Sequence, residues 1–262
     1  MERAWRRDCA ALHDPAGSPD SSASLGDDGA NADEAPFNLV VPRSRCPHCD
    51  HEIKAHENVP LFSYLYLRGR CSACGTRISA RYPAVEVLTG ILCACVAWQY
   101  GLTIITLGGV MLTFALVALA FIDLDTQLLP DAITLPFLWI GLALNIFRVY
   151  VPLEVAVIGA IAGYAILWLV YHGFRLLTGK EGMGYGDFKL TAMLGAWLGW
   201  TALPGIILLS SLVGAVVGIA MILGLGRERD RPIPFGPFLA AAGWLYLMWG
   251  PALSQAYLSL YR

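Results

Sequence analysis

Seven apolar runs, parted by brief turns, fill the chain from about residue 84 to residue 250, and no other feature restricts its fold as much. They cover roughly 84–102, 104–122, 128–148, 152–174, 188–201, 203–225 and 234–250. About 20 consecutive apolar residues carry a helix across the hydrocarbon core of a bilayer. Only closed hydrogen-bonding schemes survive there, so runs of this kind must be helices. The fifth run is the exception in length. It is short and interrupted by glycine, which calls for a tilted helix or a locally thin bilayer. The expected fold is an all-α polytopic membrane protein with about seven transmembrane helices.

Composition agrees with a split chain. Of 262 residues, 56% are hydrophobic and 15% are charged, against about 25% charged in an ordinary soluble domain. Most of the charge lies in residues 1–82. Residues 14–36 are rich in Pro, Gly, Ser and Asp and read as a flexible linker. Residues 1–36 lack the apolar core of a cleavable signal peptide. The expected organisation is a flexible segment 1–36, a small soluble domain 37–83 and a membrane domain 84–262. The arginines sit in short loops and not on one soluble basic face, so nucleic acid is not an expected partner. Membrane lipids are.

Lysine and arginine set the orientation. Arg43, Arg45, Lys54, Arg68, Arg70, Arg77 and Arg81 precede the first run. Arg175, Lys180 and Lys189 lie between the fourth and fifth, and Arg227, Arg229 and Arg231 between the sixth and seventh. The opposite turns and the C-terminus offer only Arg148 and Arg262. The basic side is expected to be cytoplasmic. Parity then places Asp123, at the end of the second run, and Asp187, at the start of the fifth, on that same side.

Four of the seven cysteines form two C-x-x-C pairs: Cys46-Pro-His-Cys49 and Cys71-Ser-Ala-Cys74. Each pair can present two thiolates from one tight turn, and two such turns complete a tetrahedral zinc site. Gly75 suits the knuckle after the second pair. Four thiolates leave no open coordination position, so Cys46, Cys49, Cys71 and Cys74 are expected to hold a structural Zn²⁺ that supplies the folding energy of the small domain. His48, His51 and His56 lie nearby, but four thiolates make a histidine ligand unnecessary. Disulfide pairing is the alternative, and a reducing cytoplasm argues against it. Cys93 and Cys95 fall inside an apolar run as small hydrophobes, and Cys9 has no evident partner.

Ionisable residues at the edge of a membrane span are functional candidates. Asp123 lies in Ile122-Asp-Leu-Asp-Thr-Gln-Leu-Leu-Pro-Asp131. Asp187 lies in Gly182-Met-Gly-Tyr-Gly-Asp187, where Gly184 and Gly186 belong to a loop able to approach a substrate backbone closely, with Asp187 capping the helix that follows. Two facing carboxylates can share one proton. The ionised partner then activates water and the protonated partner polarises a peptide carbonyl. Helix position separates the two, because Asp187 at a helix N-terminus is favoured as the anion and Asp123 at a helix C-terminus more readily keeps the proton. Asp125 and Asp131 fit solvated or capping roles. Glu86 and Lys189 are either interface residues or substrate contacts.

These residues resemble the type IV prepilin peptidases, the family of prepilin leader peptidase/N-methyltransferases, over about residues 41–245. The resemblance rests on the tetracysteine segment, Glu57-Asn-Val-Pro-Leu-Phe-Ser-Tyr64, Arg81-Tyr-Pro-Ala-Val-Glu86, Ile122–Asp131, Gly184-Tyr-Gly-Asp187 and Pro234-Phe-Gly-Pro237. It implies an inner-membrane aspartic endopeptidase with Asp123 and Asp187 as its catalytic pair. The implied substrates are prepilins and pseudopilins of type IV pilus or type II secretion systems, cut after a Gly. It also implies methylation of the new N-terminal residue from S-adenosylmethionine, a cofactor that no Rossmann-type glycine loop here would hold. Relatives usually begin with a further transmembrane helix. Met1-Glu-Arg-Ala-Trp-Arg-Arg7 resembles the segment after that helix, so the expectation is a start placed too late or a shortened form. The rival readings are a small transporter and a secretion scaffold with a zinc-bound domain. A transporter would favour mid-membrane charges and related halves, whereas these carboxylates lie at span edges.

Overall fold

The computed structural model describes residues 46, 48–52, 63–64, 66–179, 183–225 and 234–259. Cys9, His56, residues 1–36 and the basic run Arg227 to Arg231 lie outside the described residues. The seven apolar runs each become a helix: α1 (Arg81–Tyr100), α2 (Ile104–Thr126), α3 (Asp131–Ile146), α4 (Leu153–Thr178), α5 (Tyr185–Leu198), α6 (Leu203–Leu225) and α7 (Gly236–Ser259). A 3₁₀ turn, Trp200–Ala202, joins α5 to α6. Among the described residues, four stretches are long and apolar enough to cross a membrane: α1, α2, α4 and Trp200–Met221. Helix α3 is apolar but shorter, α5 has 14 residues, and α7 kinks at Trp249. The outer surface exposes Ile91, Trp98, Phe114, Leu169 and Leu212, as a multi-pass membrane protein requires.

Local chemistry accounts for the breaks between helices. Gln127 takes a left-handed conformation and its N–H closes on the Asp123 carbonyl, which ends α2. Extended Pro130 then starts α3, where proline costs nothing because its missing N–H would have no helical partner. In α7, Pro251 cannot donate to the Leu247 carbonyl four residues earlier. The Tyr100 hydroxyl of α1 donates to that oxygen instead.

Helix α5 forms the centre. Asp187, Phe188 and every residue from Leu190 to Trp197 are buried, so its whole circumference faces protein. Fourteen residues reach only about 21 Å, short of the ~30 Å hydrocarbon core. An enclosed helix need not meet lipid at its ends. Helices α3, α4 and α7 supply the enclosure. The contact with α4 is backbone to backbone: a Cβ on Gly159 would lie 2.3 Å from the Gly195 carbonyl oxygen, and one on Gly163 would lie 2.6 Å from that of Thr191. Small residues four apart let helices approach this closely.

At one end of α5, Asn145 ties three elements together and is fully buried. Its side-chain N–H₂ donates to the carbonyls of Ala196 at 2.9 Å and Trp197 at 3.2 Å. Its Oδ1 accepts from the N–H groups of Tyr150 at 3.1 Å and Val151 at 3.2 Å. One side chain therefore satisfies the C-terminal carbonyls of α5 and the turn from α3 into α4. Trp197 Nε1 donates to the Phe137 carbonyl at 2.8 Å. Asn145→Ala should leave these buried groups unpaired and cost about 1–3 kcal/mol each. Thermal unfolding in detergent should record a clear loss of stability, larger than that of an alanine replacing lipid-facing Trp98.

Candidate active site and metal centre

Asp123 and Asp187 are 64 positions apart in sequence, and the other end of α5 brings them to one end of the bundle. Both are buried, at 5% and 7% exposure. Asp123 Oδ2 accepts from the backbone N–H of Gly236, at the start of α7, at 3.0 Å. A Cβ on Gly236 would fall 2.6 Å from that oxygen and 3.3 Å from Leu129 Cδ1. A Cβ on Gly186 would fall 2.7 Å from Leu129 Cβ. Leu129 thus packs against both backbones; enlarging Gly236 would displace the Asp123 carboxylate, and enlarging Gly186 would displace Leu129.

The glycine-rich run is more ordered than its composition implies. Gly184 is the N-cap of α5, and Tyr185, Gly186 and Asp187 already form its first turn. Asp187 is therefore not the cap. It lies three residues inside, its N–H donating to the Gly184 carbonyl at 3.2 Å. The helix starts early because Gly186 lies flat on Leu129 and the Tyr185 ring packs against Tyr171 and Phe188. Helix position does not separate the two carboxylates either. Asp187 lies in the first turn of α5, and Asp123, although it ends α2, is met by the N-terminus of α7. Each has a positive helix end close by.

Two ion pairs flank the site. Lys189 Nζ donates to both oxygens of Asp131, at 2.7 and 2.6 Å, which ties the second turn of α5 to the first turn of α3. Arg81 donates to Asp125 Oδ1 at 2.6 Å, which ties α1 to the last turn of α2. Sequence reasoning gave Asp125 and Asp131 solvated or capping roles. Their partners are 44 and 58 residues away, beyond any local spacing rule. Gly236 was visible only as part of Pro234-Phe-Gly-Pro237.

The cysteines form two knuckles with the same hydrogen-bond pattern. Cys46 N–H donates to His51 O and Asp50 N–H to Cys46 O; Cys71 N–H donates to Thr76 O and Gly75 N–H to Cys71 O. The residue after each second cysteine is left-handed, Asp50 at φ 56° and Gly75 at φ 70°. The thiol sulfurs of Cys46, Cys49, Cys71 and Cys74 all lie within 4.8 Å of one another. A tetrahedral zinc–thiolate centre with bonds of about 2.3 Å needs separations near ~3.8 Å. The donor set and its spacing fit such an ion.

Comparison with known proteins places the chain. The type IV leader peptidase family model matches residues 110–219, and the bacterial N-terminal domain model of the same peptidases matches residues 25–100. A prepilin leader peptidase/N-methyltransferase of Aeromonas hydrophila is 54% identical over 259 residues, 99% of this chain and 85% of that protein. Proteins of the same description from Pseudomonas aeruginosa and Neisseria gonorrhoeae are 53% and 54% identical, over 86% and 80% of this chain and 78% and 72% of their own lengths. No solved structure matches. A polytopic helical protein with buried aspartates at one end of its bundle is the class defined by fold and site. The chain belongs to the type IV leader peptidase family.

Gly236→Ala should push a methyl group into the Asp123 carboxylate and break a charge-assisted hydrogen bond of about 1.5–3 kcal/mol. A lowered melting temperature in detergent, without loss of helical circular dichroism, is the expected outcome.

Proposed function

We propose that this chain is an aspartic endopeptidase of the inner membrane that removes leader peptides from prepilins and pseudopilins after a Gly, and that it then N-methylates the residue so exposed. The carrying observation is that Asp123 and Asp187 are both buried at one end of the bundle, with Leu129 packed against Gly186 beside one and against Gly236, the hydrogen-bond donor of the other. Two like charges so placed hold one proton between them. A water bound by the pair loses a proton to the ionised carboxylate as its oxygen attacks the scissile carbonyl carbon. The protonated carboxylate donates to the carbonyl oxygen. The resulting gem-diol collapses with cleavage of the C–N bond, and the departing nitrogen takes up a proton. No covalent intermediate forms. The Gly236 N–H fixes Oδ2 of Asp123 and leaves Oδ1 for the water. Exposed Gly184 keeps one approach to Asp187 free of a side chain, so that an extended substrate backbone can reach it, whereas Gly186 is covered by Leu129.

The lysines and arginines of the loops at this end of the bundle favour its assignment to the cytoplasmic side. Zinc bound by Cys46, Cys49, Cys71 and Cys74 has a structural role. S-adenosylmethionine, when bound, supplies a methyl group to the new N-terminal nitrogen, which gives up a proton while the sulfonium becomes a thioether. A transporter would favour ionisable groups near mid-membrane, whereas these carboxylates sit in the last turn of α2 and the first turn of α5.

In detergent or lipid, Asp123→Asn and Asp187→Asn should each slow cleavage of a prepilin peptide by about 10²–10⁴-fold, with folding retained. Wild-type cleavage rates in either variant would remove the proposal. Metal analysis should find one zinc per chain. Gly75→Val, which forces a β-branched residue into a left-handed knuckle at a cost of about 1–2 kcal/mol, should release zinc to a chelator more readily than wild type does.

A further inference from the structure

The second cysteine knuckle sits in a tight loop, residues 67–78, just before α1. Ile78 N–H donates to the Gly69 carbonyl at 2.8 Å, and Cys71 N–H donates to the Thr76 carbonyl at 2.9 Å. Arg70 and Arg77 lie between these two bonds and face each other as an antiparallel pair. The bonds are made by their neighbours, so theirs is a non-hydrogen-bonded pair. In such a pair the Cα atoms are only about 4.5 Å apart and the side chains leave the same face. Like charges directly opposite are destabilising. Yet both side chains are exposed, and neither has an acidic partner among the described residues. Arg81, three residues past Ile78, differs in being paired with Asp125. The backbone under the pair is fixed. Gly69 is left-handed at φ 67°, and a Cβ there would lie 2.8 Å from the Tyr64 ring.

We propose that Arg70 and Arg77 together grip the phosphate of an anionic phospholipid at the membrane surface. Two guanidinium forks from facing positions offer parallel N–H donors to one phosphate, a geometry that suits arginine better than lysine. The bound anion turns their mutual repulsion into a shared attraction. Chain connectivity supplies the partner. Helix α1 has 20 residues and is about 30 Å long, which equals the thickness of the hydrocarbon core. Arg81 is therefore near the level where headgroups begin. Arg77 comes four residues earlier, so its Cα lies within about 14 Å of that of Arg81. Tyr66, 88% exposed, adds an aromatic ring of the type enriched at headgroup level. An acidic protein segment carries the same charge, but a membrane surface bearing anionic lipid is within reach of this loop whenever α1 spans the bilayer. The proposal stands apart from the peptidase reading and needs only that span.

Native mass spectrometry of the full chain in detergent tests this, with phosphatidylglycerol, phosphatidylcholine and inorganic phosphate as separate probes. Wild type should retain phosphatidylglycerol in preference to zwitterionic phosphatidylcholine, and inorganic phosphate at the same concentration should not displace it. Arg70→Gln and Arg77→Gln should each weaken that retention about tenfold or more. The double variant should lose little beyond either single one, because both forks hold one phosphate. Arg68→Gln, which removes an exposed charge outside the bridge, should have a smaller effect. Added phosphatidylglycerol should raise the melting temperature of wild type more than that of the double variant. Unchanged retention in both single variants overturns the proposal and leaves the pair to an acidic protein segment. Equal retention of the two lipids by wild type, or an equal loss in Arg68→Gln, overturns it in favour of diffuse attraction. Displacement by inorganic phosphate overturns the lipid source.

Discussion

A helix too short to cross a bilayer must be wrapped in protein, and that constraint on α5 organises the molecule. Its backbone polar groups are satisfied within the helix except at the ends, where lipid offers nothing. Close approach of α4 at Gly159 and Gly195 excludes lipid from one side. Asn145 takes up the carbonyls at the C-terminal end. The N-terminal end is held to α3 by Lys189 and Asp131 and carries Asp187. The position of one catalytic candidate is thus set by packing along the whole length of its helix.

The second carboxylate is placed by different means. Asp123 sits in the last turn of α2, where Gln127 stops the helix, and the Gly236 N–H of α7 receives its side chain. Leu129, in the turn between α2 and α3, packs on both Gly186 and Gly236. Three chain segments therefore converge on the pair with no room for a side chain at either glycine. Burial of two like charges is costly unless they share a proton or find donors. The structure supplies one backbone donor and two helix N-termini.

The end of α2 has two chemically different faces. Its inward face holds Asp123, and its outward face holds Phe121 and Asp125 beside Arg81 of α1. The cysteine knuckles obey a separate, local logic. Each closes through backbone hydrogen bonds within six residues, and the spacing of the thiols does the rest.

Much of this was legible in the sequence because it depends on local rules. Apolar runs gave seven helices, as hydrocarbon tolerates little else. C-x-x-C spacing gave the knuckles, since two thiols so placed emerge from one tight turn. Loop charge and parity put Asp123 and Asp187 at one end of the bundle. The contacts themselves were decided by tertiary structure: the N–H of Gly236 on Asp123, the pairing of Asp125 with Arg81 and of Asp131 with Lys189, and the clamp at Asn145. Each joins residues from 44 to 113 positions apart. Periodicity and composition are blind to which helix faces which, because that choice is made by close packing among surfaces that read alike in one dimension.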